Sequence, residues 1–286
     1  MRLSGEKWVQ RALFAVSFSA IGGLLLIALF ILKEGLPFIF NVGIENFLFA
    51  KKWEPQAGLF GILPMIVASL WVTAGAMIMG APLGVAGAVF LVEFTPKSVM
   101  RVIKPTIELL AGIPSVVYGF IGVMVLAPLI RSHLGGPGLS VLAASLILGV
   151  MILPTVISIS IDAITAVPNS YREGSFALGA TRWQTVRMVV LKAARSGIVA
   201  SIILGMGRAI GETMAVIMVA GNAVKIPHSS LDSVRTLTAN IALEMGYATG
   251  LHRQALFATG VVLFVVIMIL NSAASAMVKN RMGGRK

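Results

Sequence analysis

Six long apolar runs constrain the fold of this chain more than any other feature of the sequence. A helix that crosses a bilayer needs about 20 apolar residues, and each run has this length or more. They cover residues 12–32, 59–92, 109–130, 139–161, 196–224 and 254–278. In addition, only 12% of the residues are charged, whereas soluble domains average about 25%. The sequence therefore predicts an all-α integral membrane protein with six transmembrane helices.

The second run, residues 59–92, has an unusual length. At about 1.5 Å per residue it would reach roughly 50 Å, which is too long for one upright span and too short for two spans with a loop. We expect one tilted helix that enters through an interfacial turn and is kinked at Pro82.

Basic residues indicate which side of the membrane is cytoplasmic. With the N-terminus inside, fifteen of the 23 Lys and Arg residues lie in cytoplasmic segments and seven in outer segments. Because basic loops remain on the cytoplasmic side, we expect both termini in the cytoplasm. The terminal segments contribute Arg2, Lys7, Arg11, Lys279, Arg281, Arg285 and Lys286 to this count.

The first run resembles a retained anchor more than a signal peptide. It is longer than the apolar part of most signal peptides, and no small-residue cleavage site follows it. We therefore expect an anchor helix with an outer connector in residues 1–58, followed by the main bundle in residues 59–282.

Several function classes are disfavoured by composition and motifs. The formal net charge is +12, but the basic residues lie in short clusters between apolar runs, which argues against binding nucleic acid. The chain has no cysteine, and its three histidines are scattered without metal-ligand spacing. No G-x-x-x-x-G-K-[ST] motif occurs. We expect no metal or cofactor in this chain and no ATP hydrolysis by it.

The cytoplasmic segment 168–192 predicts two short helices separated by a glycine turn. Ser170 and Glu173 have the spacing of a capping box that would start the first helix. Gly179 suits the left-handed position at its end, and a second capping box at residues 181–184 would start the next helix.

This helix–turn–helix segment, here called the elbow, is expected to present apolar side chains. Phe176, Leu178 and Trp183 are the candidates, and Trp183 shares the periodicity of Val186 and Val190. The apolar face either lies on the bilayer with the arginines at the headgroups, or docks a cytosolic partner.

The elbow resembles the E-A-A…G…I-x-L-P loop of ABC-importer permeases, which docks on the ATP-hydrolysing subunit. Gly and Ser stand here for the two alanines, and Lys192 stands for the proline. The resemblance implies docking by Glu173, Gly174, Ser175, Phe176, Gly179 and Ala180.

Four further stretches are similar to the permeases of the phosphate-specific ABC importer, the Pst system. They read GLFGILPMIVASL (58–70), ELLAGIPSVVYGF (108–120), GMGRAIGETMAV (205–216) and RTLTANIALEMGYA (235–248). The segment FLFAKKWEPQAGLFGILP (47–64) is similar to the PstC type rather than to the PstA type.

The resemblance implies a type I ABC importer permease in the bacterial inner membrane, surrounded by a defined set of partners. These are a second permease of the PstA type, an ATPase dimer of the PstB type that uses ATP and Mg²⁺, a phosphate-binding protein of the PstS type, and the lipid bilayer. Motion of the ATPase would pass through the elbow and switch access to a central cavity.

The most unusual charges are Arg208 and Glu212 within the fifth run. Arg208 lies roughly 18 Å along a helix that starts at Ser196, near the middle of a hydrocarbon layer about 30 Å thick. A charge there costs about 3 kcal/mol. One helical turn separates the two residues, so we expect an ion pair, flanked by small residues at 205, 207 and 211 that allow close helix packing.

Two interpretations of this pair remain open. It is either a structural salt bridge that fixes the bundle, or part of an anion path, since a guanidinium matches phosphate oxygens bidentately. The resemblance implies the second, because an arginine and a glutamate of this motif are implicated in phosphate translocation in the Pst family. Further candidates for the path or a gate are Glu108, Ser201 and Thr213.

Residues 231–245 have helical spacing and predict a partly embedded helix near the outer mouth. Two alternatives to phosphate import stay open. The chain could be an ABC permease for another oxyanion, or a membrane scaffold or sensor in phosphate signalling.

Overall fold

The computed structural model describes the backbone of residues 3–283 and the side chains of residues 8–276. Six of the seven terminal basic residues used above for orientation lie outside the described side chains; they are Arg2, Lys7, Lys279, Arg281, Arg285 and Lys286.

Helices form most of the described chain, together with one short antiparallel hairpin. In chain order the elements are α1 Leu3–Val42, α2 Ile44–Leu48, β1 Trp53–Glu54, β2 Leu59–Phe60, α3 Leu63–Val89, α4 Lys97–Ala111, α5 Ser115–Ile121, α6 Ala127–His133, α7 Val141–Thr165, α8 Asn169–Ala177, α9 Arg182–Thr185, α10 Leu191–Ala193, α11 Arg195–Gly211, α12 Met214–Val219, α13 Leu237–Glu244 and α14 Gly250–Gly283. A 3-10 turn lies at Pro55–Ala57, and π-helical stretches lie at Phe90–Phe94, Gly122–Leu126 and Val186–Val190.

Within the described residues, five helices are long and apolar enough to cross a membrane. They are Trp8–Val42, Leu63–Phe94, Ser115–His133, Val141–Thr165 and Gly250–Ala276. The bent pair Arg182–Ala193 and Arg195–Gly211, with an angle of 71° between its helices, supplies a sixth. The prediction of an all-α membrane protein is confirmed, and the described helices give five candidate spans, or six when the bent pair counts as one.

Two of the predicted spans contain a break in the helix. The third begins at Ser115 rather than at residue 109, because α4 extends to Ala111 and Pro114 starts a new helix. In the fifth, the α-helix ends at Gly211 instead of continuing to residue 224, since Glu212 is extended (φ −70°, ψ 132°). Both spans are therefore interrupted.

Small residues bring α3 and α7 into close contact at the centre of the bundle. A Cβ on Gly80 would lie 2.7 Å from the side chain of Ile152, and one on Gly84 would lie 2.7 Å from Val156. Ser145 Oγ also donates to the backbone carbonyl of Val72 at 3.2 Å. Such packing lets the two backbones approach closely, so larger residues would separate the helices.

Buried apolar side chains form three clusters along the bundle. The first lies at the hairpin and the adjoining ends of α1 and α14, and it includes Phe38, Phe47, Trp53, Ile62 and Leu256. The middle cluster joins α3, α7 and α12 and includes Val72, Leu148, Met151, Ile152 and Val216. The third lies toward the elbow and includes Ala88, Ile161, Ile164, Val186 and Val190.

The first helix lies at the edge of the bundle. None of the residues in its most apolar 18-residue window is buried. It packs against α14 through Gly35, where an added Cβ would lie 2.8 Å from Val261, and through Phe30, whose ring lies 5.4 Å from that of Phe257. This arrangement fits the predicted anchor, although the domain division itself stays a prediction.

Candidate functional site

Arg208 lies on α11 between α7 and the end of α4. Its Nη1 donates to Thr155 Oγ1 at 3.2 Å, and its Nη2 donates to the backbone carbonyl of Ala111 at 3.4 Å. The Ala111 carbonyl belongs to the last turn of α4, where carbonyls have no partner within the helix. The guanidinium is thus held by two neutral acceptors at the break between α4 and α5.

The expected ion pair between Arg208 and Glu212 is not formed. Among the described side chains, no carboxylate lies within 4.0 Å of the Arg208 guanidinium. Because α11 ends at Gly211, the geometry that brings residues four apart together on a helix is lost. Glu212 Oε1 instead accepts from the backbone N–H of Ala215 at 3.4 Å, in the first turn of α12.

Glu212 borders a small polar cavity. Its volume is about 10 Å³, which is room for one water molecule. The hydroxyl-bearing residues that line it are Ser69, Thr73, Thr236 and Thr238, and Thr238 Oγ1 donates to the Glu212 carbonyl at 2.9 Å. The carboxylate and the guanidinium therefore have separate polar surroundings.

The remaining path candidates are not brought together with Arg208. Ser201 is buried and bonded to Ser160 of α7 at 2.8 Å, so its hydroxyl joins two helices. Thr213 Oγ1 donates to the Gly211 carbonyl at 3.3 Å, across the helix break. Glu108 is exposed and lies 3.9 Å from Lys104, one turn before the end of α4.

Lys104 connects α4 to α7. Its Nζ lies 2.6 Å from Asp162 Oδ1. This hydrogen bond raises the pKa of the Lys104 amine, and burial opposes the increase. The amine is thus cationic at neutral pH. Asp162 is its main partner, and Glu108 is a secondary partner at longer distance.

The elbow has the predicted turn but not both predicted caps. Gly179 adopts φ +83°, the left-handed region expected for it. Thr181 and Gln184 form the complete capping box that starts α9. The capping box at Ser170 was wrong, because α8 starts at Asn169 with Pro168 in the cap position, which places Ser170 inside the helix.

The surface of the elbow is apolar where docking was predicted. Leu178 is 90% exposed, and Phe176 and Trp183 are also exposed. Val186 and Val190 are buried, so the expected common face with Trp183 is divided, and the chain becomes π-helical from Val186 onward. Ser175 Oγ and Thr185 Oγ1, 2.9 Å apart, link the two sides of the elbow.

The bundle matches a known family of transport proteins. A family model described as binding-protein-dependent transport system inner membrane component matches residues 80–284. The chain belongs to this family. It is therefore a permease component of the bacterial inner membrane.

Individual relatives cover most of the permease. It is 45% identical over 247 residues to the probable ABC transporter permease protein YqgH of Bacillus subtilis, with 84% of this chain and 80% of that protein covered. It is 36% identical to the phosphate transport system permease protein PstC of Mesorhizobium japonicum, with 81% of this chain and 77% of that protein covered. PstC 1 of Mycobacterium tuberculosis is also 36% identical, with 79% and 74% covered.

Solved structures share the fold of the permease. The MetNI methionine ABC transporter, in an inward-facing conformation, matches with a TM-score of 0.62 at 20% identity, covering 80% of this chain and 99% of that chain. A bacterial alginate importer matches with a TM-score of 0.66 at 17% identity, covering 98% and 99%. The predicted type I ABC importer architecture is confirmed.

A buried polar network at the hairpin end of the permease was not predicted. Glu244 accepts from Trp53 Nε1 at 2.8 Å, from Arg235 Nη1 at 2.6 Å and from His252 Nε2 at 2.8 Å. It borders an open groove of about 650 Å³ that Glu54 also lines. The sequence offered no local signal, since Trp53 and Glu244 are 191 positions apart.

The helix predicted over residues 231–245 is shorter than expected. Thr236 caps α13, which begins at Leu237, and its hydroxyl accepts from the backbone N–H of Ala239. Val234 lies before the helix and forms a bridge with Gly221. The preceding residues are therefore tied to the end of the fifth span instead of extending the helix.

Proposed function

We propose that this chain is the PstC-type permease subunit of an ATP-driven inorganic phosphate importer. It forms half of the translocation path and couples to a separate ATPase subunit. Support comes from the match to the inner membrane component family and from relatives named as phosphate transport permeases that cover about four fifths of the chain. The fold shared with the MetNI transporter agrees with a permease role.

The observation that carries the proposal is that the Arg208 guanidinium has only neutral hydrogen-bond partners among the described residues. It is a part-buried cation in a membrane bundle, held by a hydroxyl and a carbonyl rather than by a carboxylate among the described residues. A cation in this environment costs about 3 kcal/mol on insertion scales. A passing anion would neutralise it, and the two neutral acceptors are weak enough to be displaced.

In this proposal Glu212 is not a permanent counter-ion of Arg208. The helix break keeps its carboxylate away from the guanidinium while leaving it on the adjoining segment. A nearby negative charge shortens the residence of an anion, and conduction requires weak, brief occupancy. The break also supplies the backbone freedom with which the distance between the two groups can change.

The elbow is the proposed contact with the ATPase dimer. Its docking residues are those implied by the loop motif: Glu173, Gly174, Ser175, Phe176, Gly179 and Ala180. ATP binding in the ATPase would press on α8 and switch access to the central cavity. A PstA-type permease would complete the path, a PstS-type protein would deliver phosphate, and both termini would lie in the cytoplasm.

Uptake of labelled phosphate by cells that produce Arg208→Gln tests the proposal. We expect uptake to fall about tenfold or more, the equivalent of one charge-assisted hydrogen bond. Arg11→Gln is the matched control, since Arg11 is an exposed arginine on the peripheral helix α1. Membrane insertion of both variants is measured in parallel, and normal uptake by inserted Arg208→Gln would contradict the proposal.

Competition distinguishes the alternative functions. Excess sulfate or molybdate should leave labelled phosphate uptake unchanged, and competition by either would indicate a permease for another oxyanion. A reconstituted complex that binds ATP and its partners but moves no phosphate would indicate a scaffold or sensor instead.

A further inference from the structure

A nearly buried ion pair joins the elbow to the end of the second span. Arg172 lies on α8, and both its Nε and its Nη2 donate to Glu93 Oε1, at 3.1 and 2.7 Å. Glu93 belongs to the π-helical stretch that continues α3. The side chains are only 16% and 10% exposed.

The same guanidinium also binds the end of the fourth span. Arg172 Nη1 donates to the Val167 carbonyl at 2.8 Å, and Nη2 donates to the Ile164 carbonyl at 3.1 Å. Ile164 belongs to the last turn of α7 and Val167 follows two residues after its end. A cation is favoured at this C-terminus because the helix dipole places partial negative charge there. One side chain thus ties α8 to both α3 and α7.

Helix α8 has few other contacts that fix it to the membrane spans. None of the nine residues of α8 is buried, so apolar packing contributes little to its position. The link between Ser175 and Thr185 stays within the elbow. The position of α8 relative to the spans therefore depends strongly on Arg172.

Stability alone does not account for the pair. Replacing a buried ion pair with apolar residues is often neutral or stabilising. The planar guanidinium of Arg172 instead provides a defined geometry. Its several directed hydrogen bonds fix the position of α8 relative to α3 and α7.

We propose that Arg172 and Glu93 form the joint through which displacement of α8 is passed to α3 and α7. This rests on the proposed docking of the elbow on an ATPase. Arg172 is a positioning residue and touches no cargo. From the joint, the closely packed α3 and α7 extend to Thr155, the residue of α7 that binds Arg208, so the joint and the proposed path share a rigid helix pair.

Distance measurements in the assembled complex with its ATPase subunits test the joint. The chain has no cysteine, so spin labels can be attached at Ser170→Cys on α8 and Leu83→Cys on α3. Pulsed electron paramagnetic resonance then gives the distance between α8 and α3 with and without ATP. In the parent we expect the same distance in both states, because the joint moves the two helices together.

Glu93→Gln removes the charge with almost no change of shape. In this variant we expect ATP to shift or broaden the label distance, and the ATP hydrolysed per phosphate imported to rise about threefold or more. Arg172→Lys keeps the charge but loses the planar set of donors, so the change of the label distance with ATP should be intermediate between those of the parent and Glu93→Gln. Glu45→Gln, an exposed carboxylate at the opposite end of the bundle, should behave as the parent.

Two results would overturn the proposal of a joint. One is a label distance that changes with ATP in the parent, and the other is a label distance that remains constant with ATP in Glu93→Gln. If Glu93→Gln fails to assemble, the same criteria apply to Arg172→Lys. The label distance does not depend on the cargo. A complex that imports no phosphate but shows the expected distances would therefore refute the proposed function and leave the joint supported.

Discussion

Glu244 is held by three charged or polar side chains. Trp53, Arg235 and His252 all donate to its two oxygens, and the side chain is 9% exposed. A carboxylate in this position stabilises the fold only while its partners remain, because removal of one member leaves the other charge buried.

Glu244→Gln is therefore expected to destabilise the hairpin end of the bundle. Loss of one member of a buried pair costs about 3 kcal/mol or more, so the midpoint of thermal unfolding in detergent should fall clearly. Glu54→Gln alters an exposed carboxylate of the same groove and should change stability by no more than about 0.5 kcal/mol. Equal midpoints for the two variants would argue that the network is dispensable.

The residues around Arg208 show what sequence can and cannot reveal at this scale. Its burial follows from its place in an apolar run. Its partners do not, since Thr155 and Ala111 lie 53 and 97 positions away and have no pattern that marks them as acceptors. The missing ion pair with Glu212 depends on one extended residue, and glycine at 211 permits but does not require this break.

At the scale of elements, local rules predicted the elbow well. Gly179 and the Thr181–Gln184 capping box depend on short-range hydrogen bonds and backbone conformations that a few residues determine. Ser170 failed as a cap because Pro168 competes for the start of the same helix. The π-helical stretch at Val186–Val190 had no signal in the apolar periodicity.

Gly179→Ala should loosen the elbow through backbone conformation alone. A Cβ there would meet nothing within 4 Å, but the left-handed conformation costs a residue with a side chain about 1–2 kcal/mol. We expect faster hydrogen exchange at the backbone N–H of Ala180, which donates to the Ser175 carbonyl. Gly174→Ala is the matched control, because it also has free space and lies inside α8, where alanine favours the helix. Equal exchange in both variants would refute the conformational argument.

At the scale of the whole molecule, hydropathy alone predicted the number of spans, since each run must satisfy its own backbone within the bilayer. It did not predict where spans break, because the breaks at Gly112–Pro114 and Glu212–Thr213 are covered by other helices. The arrangement of α3 against α7 likewise depends on matching glycines and bulky residues across two helices, and neither sequence alone specifies the match.

The peripheral helix provides a prediction for the bundle as a whole. Gly35→Leu should separate α1 from α14, because even a Cβ would lie 2.8 Å from Val261. In the cysteine-free chain, cross-linking between Phe30→Cys and Phe257→Cys reports this contact. Its yield should fall with Gly35→Leu and persist with Gly23→Leu, where a Cβ would meet nothing within 4 Å. Equal yields would show that other contacts hold the helix.

A membrane helix at the edge of its bundle can adapt to the bilayer independently of the rest of the chain. Along α1 from Leu13 to Leu29 the large aliphatic and aromatic side chains are exposed. Exchanging them for other oily residues would alter how the subunit matches the thickness of its host bilayer. The proposed path at Arg208 would be untouched, which makes α1 a natural place to tune the permease to membranes of different composition.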